Sequence, residues 1–440
     1  MSENGRKKKL IEVALPLDEI NAACAADKAV KTGTIRNLHK WFAPMPLPAW
    51  RALLFAALID DPGTASGREE ALELVKELVR DAPGLPSEDV LAKAKRAIAD
   101  QFQSSLPVVA DPFCGAGSTL VEAQRLGLTT RGSDLNPVPV LISRTLTQCL
   151  PKVADALPLH AQAVEGQQQL VMSKTSRADP YSGITADFLH YAGLVEIRAR
   201  KLLRESYPSP NSGRVPIAWI WGRTMRCPNP ACGRETVLTT SWWLSKKAGR
   251  LAWIQPRITD TAVELDVLDM QRSGEAPPPP KPGRGTAFQC IGCGQVIPEE
   301  EVRRFGVQEG LGLRMMAVIE DSKDGRIHRA PTEDELLALR AVDVPDGIPD
   351  ISLGPGNQYI APPRFGIRTF SDLYTERQLA TLACFADQVA DVYSEIQEDG
   401  GSKDYADAVT SLLALAVGKM AQYGSTQTFL YTRNGPSAAN

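Results

Sequence analysis

Long apolar runs are missing from this sequence of 440 residues. No window approaches the stretch of about 18 apolar residues that a membrane-spanning helix needs, so we expect no contact with a membrane interior. The N-terminus is rich in lysine and has no apolar core behind it, which excludes the usual pattern of a signal peptide. Cysteine is sparse, with eight residues, and in a long chain without a secretory signal this number favours reduced thiols over a disulfide framework. These absences predict a cytoplasmic protein.

A strong excess of charge of either sign is also missing. The 49 basic and 52 acidic residues give a net charge of −3, so the chain as a whole does not attract a polyanion. Any contact with nucleic acid must therefore come from a local basic patch. The apolar fraction of 43% is that of an ordinary globular protein, and the length allows two to four domains.

Hydrophobic periodicity and capping residues predict several helices, with Ser87 as the N-cap of one of them. The predicted helices span about 18–28, 47–60, 68–81, 87–103, 184–207, 375–396 and 404–422. Residues 151–225 are expected to be mostly helical, and 312–319 is expected to be a strand.

The densest chemical pattern is Asp111-Pro-Phe-Cys-Gly-Ala-Gly-Ser-Thr119. It follows a short apolar run, which is typical of a buried parallel strand. A helix is expected to continue to about residue 126, with Thr119 and Glu122 at the spacing of a capping box. A second strand, 129–133, then ends at Asp134. Strand, glycine turn, helix and strand in this order predict a βαβ unit.

This constellation favours a nucleoside-bearing cofactor. Glycines let the backbone approach a ligand closely, the first N–H groups of the helix can bind it, and Asp134 can accept hydrogen bonds from ribose hydroxyls. S-adenosylmethionine (SAM) and NAD are both bound in this way. The NAD fingerprint G-x-G-x-x-G fails because Leu120 occupies the third glycine position, and Asp111 suits the amine-bearing methionine end of SAM. The alternative is a glycine turn in an ordinary α/β domain.

The pattern D-P-F-C-G-A-G-S-T, followed by Ser-Asp-Leu-Asn-Pro at 133–137, resembles motifs I and II of amino-methyltransferases that act on nucleic acids. The wider chain resembles the large adenine-specific DNA methylases with an inserted zinc ribbon, a bacterial group often found among restriction and phage-defence genes. Further matching segments are 11–17, 219–224, 243–247, 370–379 and 405–408. The resemblance implies an α/β, Rossmann-like SAM-dependent methyltransferase fold, present in part, with helical insertions and a four-cysteine zinc ribbon.

The resemblance also implies which residues contact the cofactor. They are Asp111, Pro112, Phe113, Gly115, Gly117, Ser118, Asp134 and Asn136. The segment from His39 to Pro44 resembles motif X, which packs on the methionine moiety and would bring Trp41 and Pro44 to the cofactor. Motif X is usually more basic in the family, and plain core packing is the alternative for Trp41 and Phe42.

Four cysteines form two pairs, each followed by glycine, at Cys227/Cys232 and Cys290/Cys293. Two such pairs can complete a tetrahedral site, and soft thiolates with no histidine nearby favour Zn²⁺ over harder cations. Four thiolates leave no open coordination position, so the expected zinc is structural.

A basic stretch contains the first cysteine pair and continues towards the second. Residues 222–257 contain seven arginines or lysines and one acid, with three tryptophans interleaved. Cations for phosphates and aromatic faces for bases are typical of nucleic-acid contact, and the residues expected to bind DNA are Trp243, Lys246, Lys247 and Arg250. The alternative is a ribbon whose tryptophans fill a small core while its lysines face solvent.

The motif that clamps a target amine, D/N/S-P-P-Y/F/W, is missing. Its polar residue aligns the amine and its aromatic residue stacks on a flipped-out base. The Pro-Pro pairs in 276–281 and 361–364 lack both, and Asp179-Pro-Tyr181 lacks the second proline. In the resembled family this motif lies downstream of the region that matches 405–425. We therefore expect the N-terminal part of a DNA adenine-N6 methylase that needs a second polypeptide.

The expected regions are a cofactor-binding part at 1–150 with a helical insertion at 62–104, a helical segment at 151–225, a zinc ribbon with a Pro-rich loop at 226–300, and a mixed region at 301–440. Two alternatives remain open. One is an RNA base methyltransferase, and the other is a non-catalytic zinc-ribbon subunit that binds nucleic acid and retains a SAM pocket.

Overall fold

The structure is a computed structural model and has a mixed α/β composition. It describes residues 7–42, 44–103, 105–160, 181–208, 214–281, 287–323, 325–356 and 360–428. Several sequence features lie wholly or partly outside these residues. They include parts of the predicted helical segment 151–225 (161–180, with Asp179-Pro180, and 209–213), Ala43 of the motif X-like segment, the end of the Pro-rich loop at 282–283, and the last residues, 429–440.

The helices are α1 (Leu17–Ala29), α2 (Leu47–Leu58), α3 (Ala65–Arg80), α4 (Glu88–Phe102), α5 (Ser118–Arg125), α6 (Pro137–Arg144), α7 (Leu150–Lys152), α8 (Ser182–Leu202), α9 (Glu299–Gln308), α10 (Glu333–Ala338), α11 (Glu376–Glu398) and α12 (Lys403–Gly424). The strands are β1 (Val108–Asp111), β2 (Thr129–Gly132), β3 (Val215–Arg226), β4 (Glu235–Val237), β5 (Trp243–Lys247), β6 (Arg250–Ile258), β7 (Val263–Gln271), β8 (Phe288–Gln289), β9 (Val296–Ile297), β10 (Gly312–Asp321) and β11 (Ile327–Arg329).

The chain forms two compact units. Unit 1 comprises residues 1–195 and 389–419, and unit 2 comprises 196–388 and 420–440. The predicted helices are present with small shifts of their ends, and Ser87 caps α4 by accepting the Val90 N–H at 3.4 Å, as predicted.

The core of unit 1 lies among its first five helices. Apolar residues three or four positions apart line one face of α3 and α4, the usual pattern of an amphipathic helix. The buried centre contains Leu10, Phe55, Val75, Leu78, Ile98 and Leu126. This helical layer packs against α5, the helix that follows the glycine loop.

The predicted βαβ unit is confirmed. Strands β1 and β2 pair in parallel, with Val108 opposite Thr129 and Asp111 opposite Gly132, and α5 connects them. The loops that leave the two carboxyl ends are consequently neighbours, which brings the glycine turn beside Asp134.

Unit 2 contains antiparallel sheets. Four strands are ordered β11-β10-β3-β4, three are ordered β5-β6-β7, and β8 pairs with β9. Residues 151–225 were expected to be mostly helical, and this is wrong for 215–225, because these residues form β3, which pairs with β10 over nearly its whole length. Its large apolar residues match β propensity, and cross-strand packing against β10 decides the conformation.

Within the described parts of the chain, no helix combines the length and the apolar character needed to cross a bilayer.

Candidate functional site

The side-chain carboxylate of Asp134 accepts a hydrogen bond from the main chain of the glycine loop and another from the residues that follow Asp134. One carboxylate oxygen of Asp134, Oδ2, accepts the Gly115 N–H at 3.0 Å, and the other, Oδ1, accepts the Asn136 N–H at 3.0 Å. Each carboxylate oxygen has a second lone pair, so both can accept a further hydrogen bond. Asp134 therefore shapes the loop and can still bind a ligand.

Gly115 and Gly117 both have left-handed backbone conformations, with φ of +50° and +85°. Ser143 is the next-to-last residue of α6. A Cβ at Gly117 would lie 2.8 Å from the Cβ of Ser143, closer than real side chains pack. Gly117 therefore serves close packing of the loop onto α6, in addition to the turn itself.

The predicted capping box of α5 is wrong. The N-cap is Gly117, and no side chain caps this helix. Thr119 and Glu122 are both buried. Glu122 instead forms an ion pair with Arg51 of α2. The first N–H groups of α5 therefore have no side-chain cap, and such groups favour an acceptor or an anion.

Of the other residues expected to contact the cofactor, Ser118 lines a pocket, whereas the rest are exposed or bonded to nearby main-chain N–H groups. Asp111 accepts the Phe113 N–H at 3.1 Å, and Pro112 and Phe113 are exposed, Phe113 to 85%. Asn136 caps α6, since its Oδ1 accepts the Val138 N–H at 2.9 Å, and this bond gives it a structural role. Ser118 lies at the start of α5 and lines a pocket.

This pocket brings the glycine loop together with the motif X-like segment. It is lined by Ile35, Arg36, His39, Trp41, Pro44, Ala116, Ser118 and Leu146. Trp41 lies directly on the loop, because a Cβ at Gly115 would be 3.0 Å from its Nε1. Phe42 is 84% exposed, so the alternative of core packing is wrong for this residue.

Three of the lining residues were missed from the sequence. Ile35 and Arg36 precede the recognised segment, and Leu146 lies beyond α6, where no motif indicates a site. Arg36 is held by Asp27, with its Nε 3.2 Å from Asp27 Oδ2 and its Nη2 donating to the Asp27 carbonyl at 2.5 Å. Because Asp27 is only 2% exposed, this pair fixes the side chain of Arg36 at the pocket.

The four predicted cysteines converge, as expected. Their sulfur atoms all lie within 4.8 Å of one another. Sγ of Cys227 is 3.7 Å from Sγ of Cys293, and Sγ of Cys232 is 3.8 Å from Sγ of Cys290. A zinc ion with Zn–S bonds of about 2.3 Å in a tetrahedron separates its sulfurs by about 3.8 Å. The cluster therefore has the dimensions of a four-thiolate metal site.

Hydrogen bonds surround this cluster. Thr236 donates its hydroxyl to Sγ of Cys290 at 3.2 Å. The backbone N–H of Arg234 donates to Sγ of Cys232 and lowers the pKa of that thiol to about 7. Burial raises the pKa of Cys227 to about 12. Donors aimed at sulfur stabilise a thiolate, the form that binds a metal.

The second half of the basic stretch folds into the hairpin of β5 and β6. Lys246 and Lys247 are exposed near its turn, and Lys247 pairs across the strands with Arg250. Trp243 is half-buried, with Nζ of Lys246 5.5 Å from its ring centroid. The end of the hairpin therefore carries two exposed lysines, with Arg250 opposite Lys247.

The tryptophans of this stretch are mainly core residues. Trp242 is 1% exposed and donates its Nε1–H to the Pro278 carbonyl at 3.2 Å. Trp253 is 6% exposed and packs edge-on against Trp243, with ring centroids 5.5 Å apart. Of the three, Trp243 retains partial exposure, so the core-packing alternative holds for the other two.

A family model described as "Protein of unknown function (DUF1156)" matches residues 14–79. This segment contains α1, α2 and nearly all of α3, the helical layer that packs against α5. No curated protein and no solved structure matches the chain.

Proposed function

We propose that the chain is the SAM-binding part of a nucleic-acid methyltransferase of the restriction or phage-defence type, acting on adenine N6 in DNA. The observation that carries the proposal is the joining of three elements at one place. They are the glycine loop between parallel strands, the Asp134 carboxylate bonded to that loop, and the Trp41 wall of the pocket.

The chemistry of the residues fits SAM. Asp134 has lone pairs left for the ribose hydroxyls, and the start of α5 offers N–H groups without a side-chain cap. Trp41 and Pro44 supply apolar surface next to the loop. The cofactor, when bound, supplies an electrophilic methyl group, and the residues of this chain hold and orient it. We propose a Rossmann-like methyltransferase arrangement for this part of unit 1.

The motif that aligns a target amine does not occur in these 440 residues. We propose that another polypeptide supplies it, and that this chain contributes cofactor binding and DNA contact. The hairpin cations Lys246, Lys247 and Arg250 support phosphate contact.

We propose Zn²⁺ as the metal of the cysteine cluster. The sulfur spacing matches a tetrahedral zinc site, and four thiolates leave no position for a reacting water. The ion would therefore hold the β3–β4 and β8–β9 loops together and take no part in the reaction.

Calorimetry of the purified chain with SAM and with NAD tests the cofactor. Binding of SAM in preference to NAD supports the proposal, and no binding or a preference for NAD overturns it. A methyl-transfer assay with labelled SAM then compares DNA with tRNA. Robust transfer by the purified chain alone would overturn the proposed need for a second polypeptide, and transfer to tRNA in place of DNA would replace the DNA methylase with an RNA methyltransferase.

A further inference from the structure

Helix α12 lies against the wall of the pocket. A Cβ at Gly418 would be 2.7 Å from Nε2 of His39, closer than real Cβ atoms approach other atoms, and 3.3 Å from Cδ2 of the same ring. His39 is one of the residues that line the pocket. The imidazole ring is therefore seated on the backbone of α12, at a position where a glycine leaves room for it.

A second contact lies at the next residue of the helix. Nζ of Lys419 donates a hydrogen bond to the carbonyl of Asn37 at 3.0 Å. Asn37 and His39 belong to the segment 35–41, which contributes Ile35, Arg36 and Trp41 to the pocket. One turn of α12 thus holds this segment through two adjacent residues.

The start of α12 is held by the helices that follow Asp134. Asp407 pairs with Arg144 of α6 at 3.3 Å, and Asp404 pairs with Lys152 of α7 at 2.7 Å. Tyr405 donates its hydroxyl to the buried carboxylate of Asp187 at 2.7 Å. From residue 404 to residue 419 a helix extends about 22 Å, so α12 connects these anchors to the pocket wall as one rigid element.

We infer that α12 positions the 35–41 wall of the pocket, and that Gly418 is the positioning residue which sets how closely His39 and Trp41 approach the glycine loop. This inference rests on the proposed function, because SAM affinity is its readout. A side chain at position 418 would displace His39 and, with it, the segment that carries Trp41.

The test is calorimetry of SAM binding to Gly418→Ala, with Gly193→Ala as the matched control. Both glycines lie inside helices of unit 1, but a Cβ at Gly193 meets no atom within 4 Å. Both variants gain helix propensity. We expect Gly418→Ala to weaken SAM binding about tenfold or more, as an overpacked contact does, and Gly193→Ala to bind SAM like the wild type.

A double variant separates positioning from a general loss of stability. In a His39→Ala background the ring is gone, so we expect Gly418→Ala to cause no further loss of SAM affinity. Equal losses in both backgrounds would overturn the inference, as would wild-type affinity of a folded Gly418→Ala protein.

If Gly418→Ala does not fold, Lys419→Met decides, with Lys403→Met at the exposed start of α12 as control. A several-fold loss of SAM affinity in Lys419→Met alone supports the inference, and unchanged affinity overturns it. Failure of the wild-type protein to bind SAM overturns the proposed function and the inference together, whereas failure of these variants to differ from a SAM-binding wild type overturns the inference alone.

Discussion

Arg51 and Glu122 form a two-pronged ion pair inside unit 1. Arg51 donates from Nε to Oε2 of Glu122 at 2.7 Å and from Nη2 to Oε1 at 3.1 Å. Both side chains are almost fully buried, at 2% and 0% exposure. The pair joins α2, in the segment that matches the DUF1156 family model, to α5, the helix that follows the glycine loop. The helical N-terminal segment and the candidate cofactor site are thus parts of one packed structure.

Glu122→Gln should strongly destabilise the protein, because it leaves the buried Arg51 guanidinium without its counter-charge. Loss of one partner of a buried pair costs about 3–5 kcal/mol. The free energy of unfolding from urea denaturation measures the change. Arg80→Met, which removes an exposed pair with Glu73, is the control and should cost less than about 1 kcal/mol. A Glu122→Gln protein as stable as the control would show that the pair contributes little.

Asp134→Ala should weaken SAM binding about ten- to 100-fold, since hydrogen bonds to a charged group contribute about 1.5–3 kcal/mol. The substitution removes the acceptor of the Gly115 and Asn136 N–H groups together with the expected ribose contact. Calorimetry measures the affinity. Asp372→Ala is the matched control, because Asp372 also accepts two backbone N–H groups, from Arg368 and Thr369. Equal SAM affinity of the two variants would argue against a role of Asp134 in binding.

Cys290→Ser should abolish stoichiometric zinc in the purified protein and lower the thermal stability of unit 2. Cys290 is 2% exposed, and its sulfur accepts a hydrogen bond from the Thr236 hydroxyl. The serine oxygen is harder and smaller than sulfur, so the substitution removes a metal ligand and disturbs the packing around it. Elemental analysis and thermal denaturation, each with and without a chelator, measure the effect. Cys384→Ser, at a cysteine apart from the cluster, should retain the metal. Full zinc content in Cys290→Ser would exclude the four-thiolate site.

Replacing Lys246 and Lys247 with alanine should weaken DNA binding and make it less sensitive to salt. The slope of log affinity against log salt should decrease by about 0.9 for each phosphate that the variant no longer neutralises. Binding isotherms at several salt concentrations give the slope, and Lys403→Ala, at another exposed lysine, is the control. An unchanged slope in the double variant would remove the hairpin from the DNA-binding surface.

Asp60 should make unfolding depend on pH in the acid range. A hydrogen bond from Nζ of Lys9, at 2.7 Å, lowers the pKa of the Asp60 carboxyl below its ordinary value. The unfolded chain then binds the proton more readily than the folded one, so this contribution to stability is complete above the unfolded pKa of about 3.9. It is lost as the pH falls through the lower, folded pKa.

The measurement is urea denaturation of the wild type and Asp60→Asn between neutral pH and pH 2. Asp60→Asn should be less stable at neutral pH, and the difference between the two proteins should shrink as the pH falls below about 4. If the difference in free energy of unfolding between the two proteins stays constant over this range, the substitution acts through packing and not through the charge of Asp60.

Local sequence was sufficient for several features. The periodicity of apolar residues predicted the helices of unit 1, because amphipathic helices follow a repeat that the chain itself carries. The strand, glycine turn, helix and strand around Gly115 were predicted for the same reason, and the spacing of Cys227, Cys232, Cys290 and Cys293 predicted their convergence. The helices and the βαβ unit depend on residues close together in sequence. The cysteine cluster depends on a spacing of ligands that is known from zinc sites.

Tertiary structure decided the remaining features, because they depend on contacts between residues far apart in the chain. Residues 215–225 form a strand because β10 lies beside them. Glu122 does not cap α5, because its carboxylate pairs with the buried Arg51. Trp242 and Trp253 are core residues, a distinction that composition cannot make. The pocket is formed where α12 brings Gly418 to His39, almost 380 positions away, and no local pattern encodes an approach of that kind.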